Sequence, residues 1–196
     1  MNHNGGEVGM PKEAMSVAEA IRKCAHEVTG FVKARNGDPM AARTEIIGSI
    51  GALLKRPDLI DVGLPRPAVN ADSSRILYYD PSILFVLGYS KGDGRYDPPH
   101  NHGNWIATGV YRGEVEYTDY RRMDDGSRPG YAELKEVAHG VLKAGDVELT
   151  PPPPHDIHSN TMLTENYTLV VIGGGFATSR NYYDPEKRTY TVRQTG

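Results

Sequence analysis

Apolar positions along the chain follow two different periods. Val17, Ile21, Val28 and Val32 recur at helical spacing on one face, and Ser16-x-x-Glu19 just ahead of them can close a capping box over the free N–H groups of a first turn. The pattern predicts an amphipathic helix starting near Ser16. A second start signal stands at Asp38-Pro39, and Ile46, Ile47, Ile50, Leu53 and Leu54 form an apolar stripe that Pro57 ends. From Arg75 onward the texture changes to short runs rich in Val, Ile, Tyr and Thr, punctuated by Gly, Pro and Asp. SILFVLGYS, NWIATGVYRGEVEYTDYRR, HGVLKAGDVELT, ENYTLVVIGG and RTYTVR read as strands, which predicts an all-β sandwich or barrel behind two helices. Gly113-Glu114 reads as a hairpin turn, MDDGSRPG as a longer loop, and Pro151 to Pro154 as a rigid loop that carries His158 to a fixed place.

The expected organisation is a polar tail over residues 1–13 followed by one domain, 14–196, with a helical segment at 14–60 and a β-barrel at 75–196. A chain of 196 residues can bury a core of its own without disulfides. Charged residues make up 24% and the net charge is -3, so partnership with nucleic acid or an anionic membrane is not expected, and a small-molecule partner is. No apolar run approaches the roughly 18 residues of a membrane span, and the N-terminus lacks a basic-then-apolar leader, so a cytoplasmic location is expected. The pattern leaves monomer and homo-oligomer open. The only cysteine, Cys24, excludes an intramolecular disulfide, and its place on a helical apolar face predicts a packed thiol.

Among seven histidines, His100 and His102 stand two apart in a segment read as extended, where both side chains share one face and can converge on an ion. Composition alone yields such a pair in roughly one sequence in four, so the surrounding pattern has to carry the claim. Gly94-x5-His100-x-His102 followed by Gly113, then Gly145-x5-Pro151 followed by His158 and Asn160, resembles the paired motifs of the cupin superfamily. That resemblance implies a double-stranded β-helix, or jelly-roll barrel, with His100, His102 and His158 as metal ligands. Cupins normally add a glutamate four or five residues after the second histidine, where this chain has Ile106 and Ala107.

Three histidines without the glutamate point to the thiol dioxygenases. The stretch from His100 through Trp105 and Gly109 to Gly113 resembles the HDHxxWGxxGxLxG-like segment of cysteine and 3-mercaptopropionate dioxygenases, and Gly145-Asp146-Val147 with Asp156-Ile157-His158 resembles their GDV and DIH segments. The resemblance implies Fe(II), with Zn, Ni or Mn as alternatives, and O2 added to a small thiol to give a sulfinate. Three neutral nitrogens leave adjacent positions open on Fe(II), and the absent carboxylate leaves room for a thiolate charge.

The chain also departs from that family. Its Ser-x-His-x-Tyr triad is replaced by Thr168, Val170 and Ile172, which removes acid/base help from that strand, and no cysteine near Ile106 can form the crosslink of animal-type enzymes. His155 stands where the family motif commonly has glycine and reads either as a helper reaching the site or as a solvated loop residue. Tyr182 and Tyr183 read either as a replacement phenol or as strand-end tyrosines. A substrate carboxylate calls for a guanidinium, and Arg75 and Arg180 are the candidates by resemblance. Trp105 and Tyr111 read as core, and His3, His26 and His139 as structural or solvated. A second reading of the whole is a metal-binding cupin of other function, a ligand-binding or sensor module or a Lewis-acid enzyme, that does not oxidise thiols.

Overall fold

The structure, a computed structural model, describes residues 15–68, 71–174 and 177–194. The tail expected over residues 1–13, with His3 in it, lies outside them. Helix α1 (Val17–Ala34) starts as the pattern predicts: the Ser16 hydroxyl accepts from Glu19 N–H while the Glu19 carboxylate accepts from Ser16 N–H. Helix α2 (Arg43–Leu54) begins later than Asp38-Pro39 suggests. The Asp38 carboxylate accepts from the N–H groups of Met40 and Ala41, which makes a local turn of the residues expected as the first helical ones. Cys24 is buried between the helices and burial pushes its thiol up to about 11, so it stays protonated.

Twelve strands follow among the described residues: β1 (Leu64–Arg66), β2 (Ser73–Asp80), β3 (Ile83–Ser90), β4 (Arg95–His100), β5 (Ile106–Arg112), β6 (Glu114–Arg122), β7 (Leu134–Lys143), β8 (Val147–Thr150), β9 (Ile157–Met162), β10 (Asn166–Gly173), β11 (Ser179–Asp184) and β12 (Thr189–Gln194). They form two antiparallel six-stranded sheets, ordered β1-β2-β3-β10-β5-β8 and β12-β11-β4-β9-β6-β7. The fold is mainly β, a jelly-roll sandwich with two helices ahead of it. The MDDGSRPG stretch joins β6 to β7 as the expected loop.

Gly113 does not make the hairpin turn that the sequence suggests. Strands β5 and β6 lie in different sheets, so Gly113 is the corner where the chain crosses between them and no hairpin forms there. Its φ of 84° favours glycine, and a Cβ would run into the carbonyl oxygen of Glu165.

The first sheet is buried on both faces. Ile83, Phe85 and Leu87 of β3, Leu169 and Val171 of β10, and Ala107 and Tyr111 of β5 pack with Ile21, Val28, Ile46, Ile50 and Leu54 of the helices. The alternate residues Leu84, Ile106 and Ile172 cluster separately and turn toward the second sheet. This double burial is why SILFVLGYS and YTLVVIGG are continuous apolar runs without alternation. Gly109 lets α2 come close, since a Cβ there would meet Leu54 at 3.0 Å. The main apolar core therefore lies between helices and sheet, which leaves the space between the two sheets free for polar groups. Trp105 and Tyr111 join that core as expected, with the Tyr111 hydroxyl donating to Pro57 O at 2.9 Å.

Candidate metal centre

Between the sheets lies a cavity of about 130 Å³, lined by both of them. His100 is the last residue of β4, and His158 is the second residue of β9 and its direct partner across the sheet. His102 is not in a strand, contrary to the extended reading. The chain leaves β4 after His100, and the carboxylate of Asp156 accepts from the N–H groups of His102 and Gly103 at 3.3 and 2.8 Å. Asn101 N–H donates to Asn181 O, and the Asn101 side-chain oxygen accepts from Asn181 N–H. Convergence of the imidazoles therefore comes from a tethered turn and not from strand alternation.

The three ring systems meet. Their candidate ligand nitrogens all lie within 4.8 Å of one another, and all three residues are buried. Pro98 O accepts from Nδ1 of His100 at 2.9 Å, which fixes that tautomer and leaves the Nε2 lone pair facing His102 Nε2 at 2.8 Å. Two nitrogens at right angles, each roughly 2.0 Å from a shared ion, would stand about this far apart. Burial holds His100 down to about 4, and burial with the neighbouring cations holds His102 and His158 well below the ordinary histidine range. All three are thus neutral at physiological pH, as metal ligands must be. His102 Nδ1 and His158 Nδ1 are buried with no hydrogen-bond partner among the described residues. The donor set fits a divalent ion that favours nitrogen.

Arg180 lines the same cavity. Burial lowers its guanidinium from the ordinary value, an effect opposed by Tyr182 and Asp97, and its charge acts on all three histidines. Arg75 does not line the cavity. It is exposed on β2, while its neighbour Ser74 faces in, so strand alternation sends the two to opposite sides. A second cationic lining residue is Arg66 of β1, half-buried and close enough to depress Arg180. Sequence reasoning missed it because nothing in Leu-Pro-Arg-Pro distinguishes it from a surface arginine.

Positions 168, 170 and 172 of β10 all face the cavity, so the hydroxyl and two aliphatic side chains there stand beside the histidines. The Thr168 hydroxyl donates to Asn166 Oδ1 at 3.1 Å. His155 is exposed in the loop before β9 and does not line the cavity; its backbone N–H donates to Pro152 O. Its solvated reading is the one the placement favours. Tyr182 and Tyr183 are buried, not solvent-facing, yet neither lines the cavity. Tyr182 stacks on His100 with ring centres 5.4 Å apart, and the Arg193 guanidinium covers its ring. Tyr183 packs with Ala132 and Ile157 and takes a hydrogen bond from Asn181. His26 and His139 stand apart from the cluster: His26 lies edge-on to Tyr78, and His139 bonds to Thr118.

No family model matches the sequence. Among solved structures, the chain is similar to an RmlC-like cupin from Shewanella frigidimarina NCIMB 400 (17% identity, 59% of this chain and 86% of that one, TM-score 0.44). It is also similar to KdgF from Halomonas sp. (16% identity, 57% and 86%, TM-score 0.43). A third is the DMSP lyase DddQ from Ruegeria pomeroyi DSS-3 (18% identity, 69% and 77%, TM-score 0.47). No helix among the described residues is long and apolar enough to cross a membrane.

Proposed function

We propose that this chain is a metal-dependent oxidoreductase, a non-haem Fe(II) dioxygenase of the three-histidine cupin kind that converts a small, carboxylate-bearing thiol and O2 to a sulfinate. The observation that carries the reading is three neutral imidazoles and the Arg180 guanidinium lining one cavity between the sheets. His100, His102 and His158 hold the ion, and Zn, Ni or Mn remain alternatives to iron that metal analysis distinguishes. Iron, when bound, supplies the electron-transfer chemistry that lets O2 react with a thiolate. Both oxygen atoms end on sulfur, so thiolate plus O2 balances the sulfinate with no external reductant.

The protein's own groups set the substrate. Arg180, with Arg66 lining the same cavity, offers a planar fork to a carboxylate, and partial burial strengthens that attraction. Val86, Val170 and Ile172 line the cavity and exclude water from the substrate's carbon chain. A cavity of about 130 Å³ restricts the substrate to a small molecule.

One observation favours a second reading, a metal-binding cupin that does not oxidise thiols: Val170 and Ile172 put aliphatic groups on the cavity face where a proton-carrying imidazole and phenol would act. Addition of small thiols to the iron-loaded protein without oxygen, followed by oxygen uptake and product mass, decides between them. The expected product is heavier than the thiol by two oxygen atoms. A metal-replete protein that consumes no oxygen across a panel of small thiols would sink the dioxygenase reading and leave the second.

A further inference from the structure

We infer that Asp119 is a positioning residue for the metal centre, holding the His158 imidazole in its ligating tautomer through one bridging water. The inference rests on the three-histidine reading and goes beyond its ligand set. It starts from the sheet register: Tyr182, His100, His158 and Asp119 form a single row across β11, β4, β9 and β6, each directly opposite the next. Opposite residues in antiparallel strands share a face, so the Asp119 carboxylate stands on the side of His158 away from His100.

Two atoms in that row are buried with no hydrogen-bond partner among the described residues, Asp119 Oδ1 and His158 Nδ1. One is an acceptor. The other is a donor once His158 ligates through Nε2, the nitrogen that His100 also presents to the centre. Leaving both unmet would cost far more than one bond returns, because each is shielded from solvent. Both residues line a second, small cavity of about 10 Å³, walled also by Thr108, Tyr117, Leu142, Glu148, Thr150 and Asn160, of which Glu148 is engaged by the Arg43 guanidinium. That is about the space one water molecule needs, and its polar walls give such a water partners. Thr150 stands beside the Asp119 side chain in the same wall. A ligating histidine whose second nitrogen donates toward a carboxylate is fixed in ring orientation and made a better donor to the ion. His100 achieves the same with Pro98 O. In this row Asp119 does it for His158.

The test compares Asp119→Leu and Asp119→Asn with the parent protein by Co(II) titration, following the absorption of the bound ion, and by 15N NMR of the metal-free His158 ring. Asp119→Leu is expected to weaken Co(II) binding by roughly 10- to 100-fold, while Asp119→Asn, which keeps an acceptor oxygen, recovers part of that loss. In the NMR spectra the parent and the asparagine variant hold the Nδ1–H tautomer, and the leucine variant shifts away from it. Should Asp119→Leu not fold, the asparagine variant decides through an affinity between parent and loss and through an altered Co(II) spectrum. Variants indistinguishable from a Co(II)-binding parent in affinity, spectrum and tautomer would overturn this inference alone. A parent that takes up no Co(II) would overturn the three-histidine reading and the inference with it.

Discussion

At the residue scale, the cavity separates arginines that the sequence could not. Arg75 and Arg180 both stand in strands, yet only Arg180 reaches the cavity. Arg180→Ala is therefore expected to raise the Kd of a carboxylate-bearing thiol by roughly 10- to 100-fold, the loss of a charge-assisted bond of about 1.5–3 kcal/mol. Arg75→Ala should leave that Kd unchanged. Calorimetric titration of both variants with the same ligand checks the pair, and a larger effect at Arg75 would reverse the assignment. Asp119 shows what alternation could have revealed: in GEVEYTDYRR it shares its face with Val115 and Tyr117, so an acidic group on an apolar strand face was visible before any coordinates.

At the element scale, the loop between β6 and β7 is tied chiefly by the Asp124 carboxylate. Asp124 accepts two bonds from the Arg122 guanidinium at 2.9 and 2.8 Å, and others from Gly126 and Glu133 N–H. Arg122 first, then those backbone donors, hold the Asp124 carboxyl well below the usual carboxylate range. A carboxylate depressed in the folded state stabilises the fold at pH values above its ordinary range, and the contribution is lost as pH falls toward the folded value. Asp124→Asn should thus be less stable at pH 7, by about 1–2 kcal/mol from the weakened bonds. The gap from the parent protein should close as pH drops below about 4, where the unfolded carboxyl takes up its proton. Urea unfolding at pH 7 and pH 3 measures both, and a gap that is constant with pH would contradict this role. The turn carrying His102 is tied in part by Asp156 in a comparable way, so an acidic side chain helps to shape two of the least regular parts of the chain.

At the scale of the whole molecule, stability and chemistry occupy different layers. The helices and one face of the first sheet make the apolar core, and the space between the sheets carries the histidines and arginines. A ligand held there joins β4, β9 and the intervening turn, so a bound ion should stabilise the folded state by mass action. At an ion concentration about a hundredfold above Kd, Tm is expected to rise by roughly 5–10 °C. His158→Ala should lose that rise while keeping the metal-free Tm close to the parent's. An equal rise in both proteins, measured by thermal unfolding with and without added ion, would mean that the ion binds elsewhere.

The sequence alone determined what depends on short-range pattern. Helical spacing and the Ser16 capping box set α1, apolar runs bounded by turn residues set most strands, and two glycine-to-histidine patterns singled out His100, His102 and His158. Local pattern misjudged the start of α2, the role of Gly113 and the backbone around His102, because an Asp38 turn, a crossing between sheets and a tether from Asp156 each depend on a partner supplied by folding. Which arginine faces the cavity, that His155 and Tyr183 do not, and that Asp119 stands in register with His158 follow from the folded arrangement alone. Strand register and the choice of buried face are set by contacts between segments far apart in the chain, and those contacts leave no local trace in the order of residues.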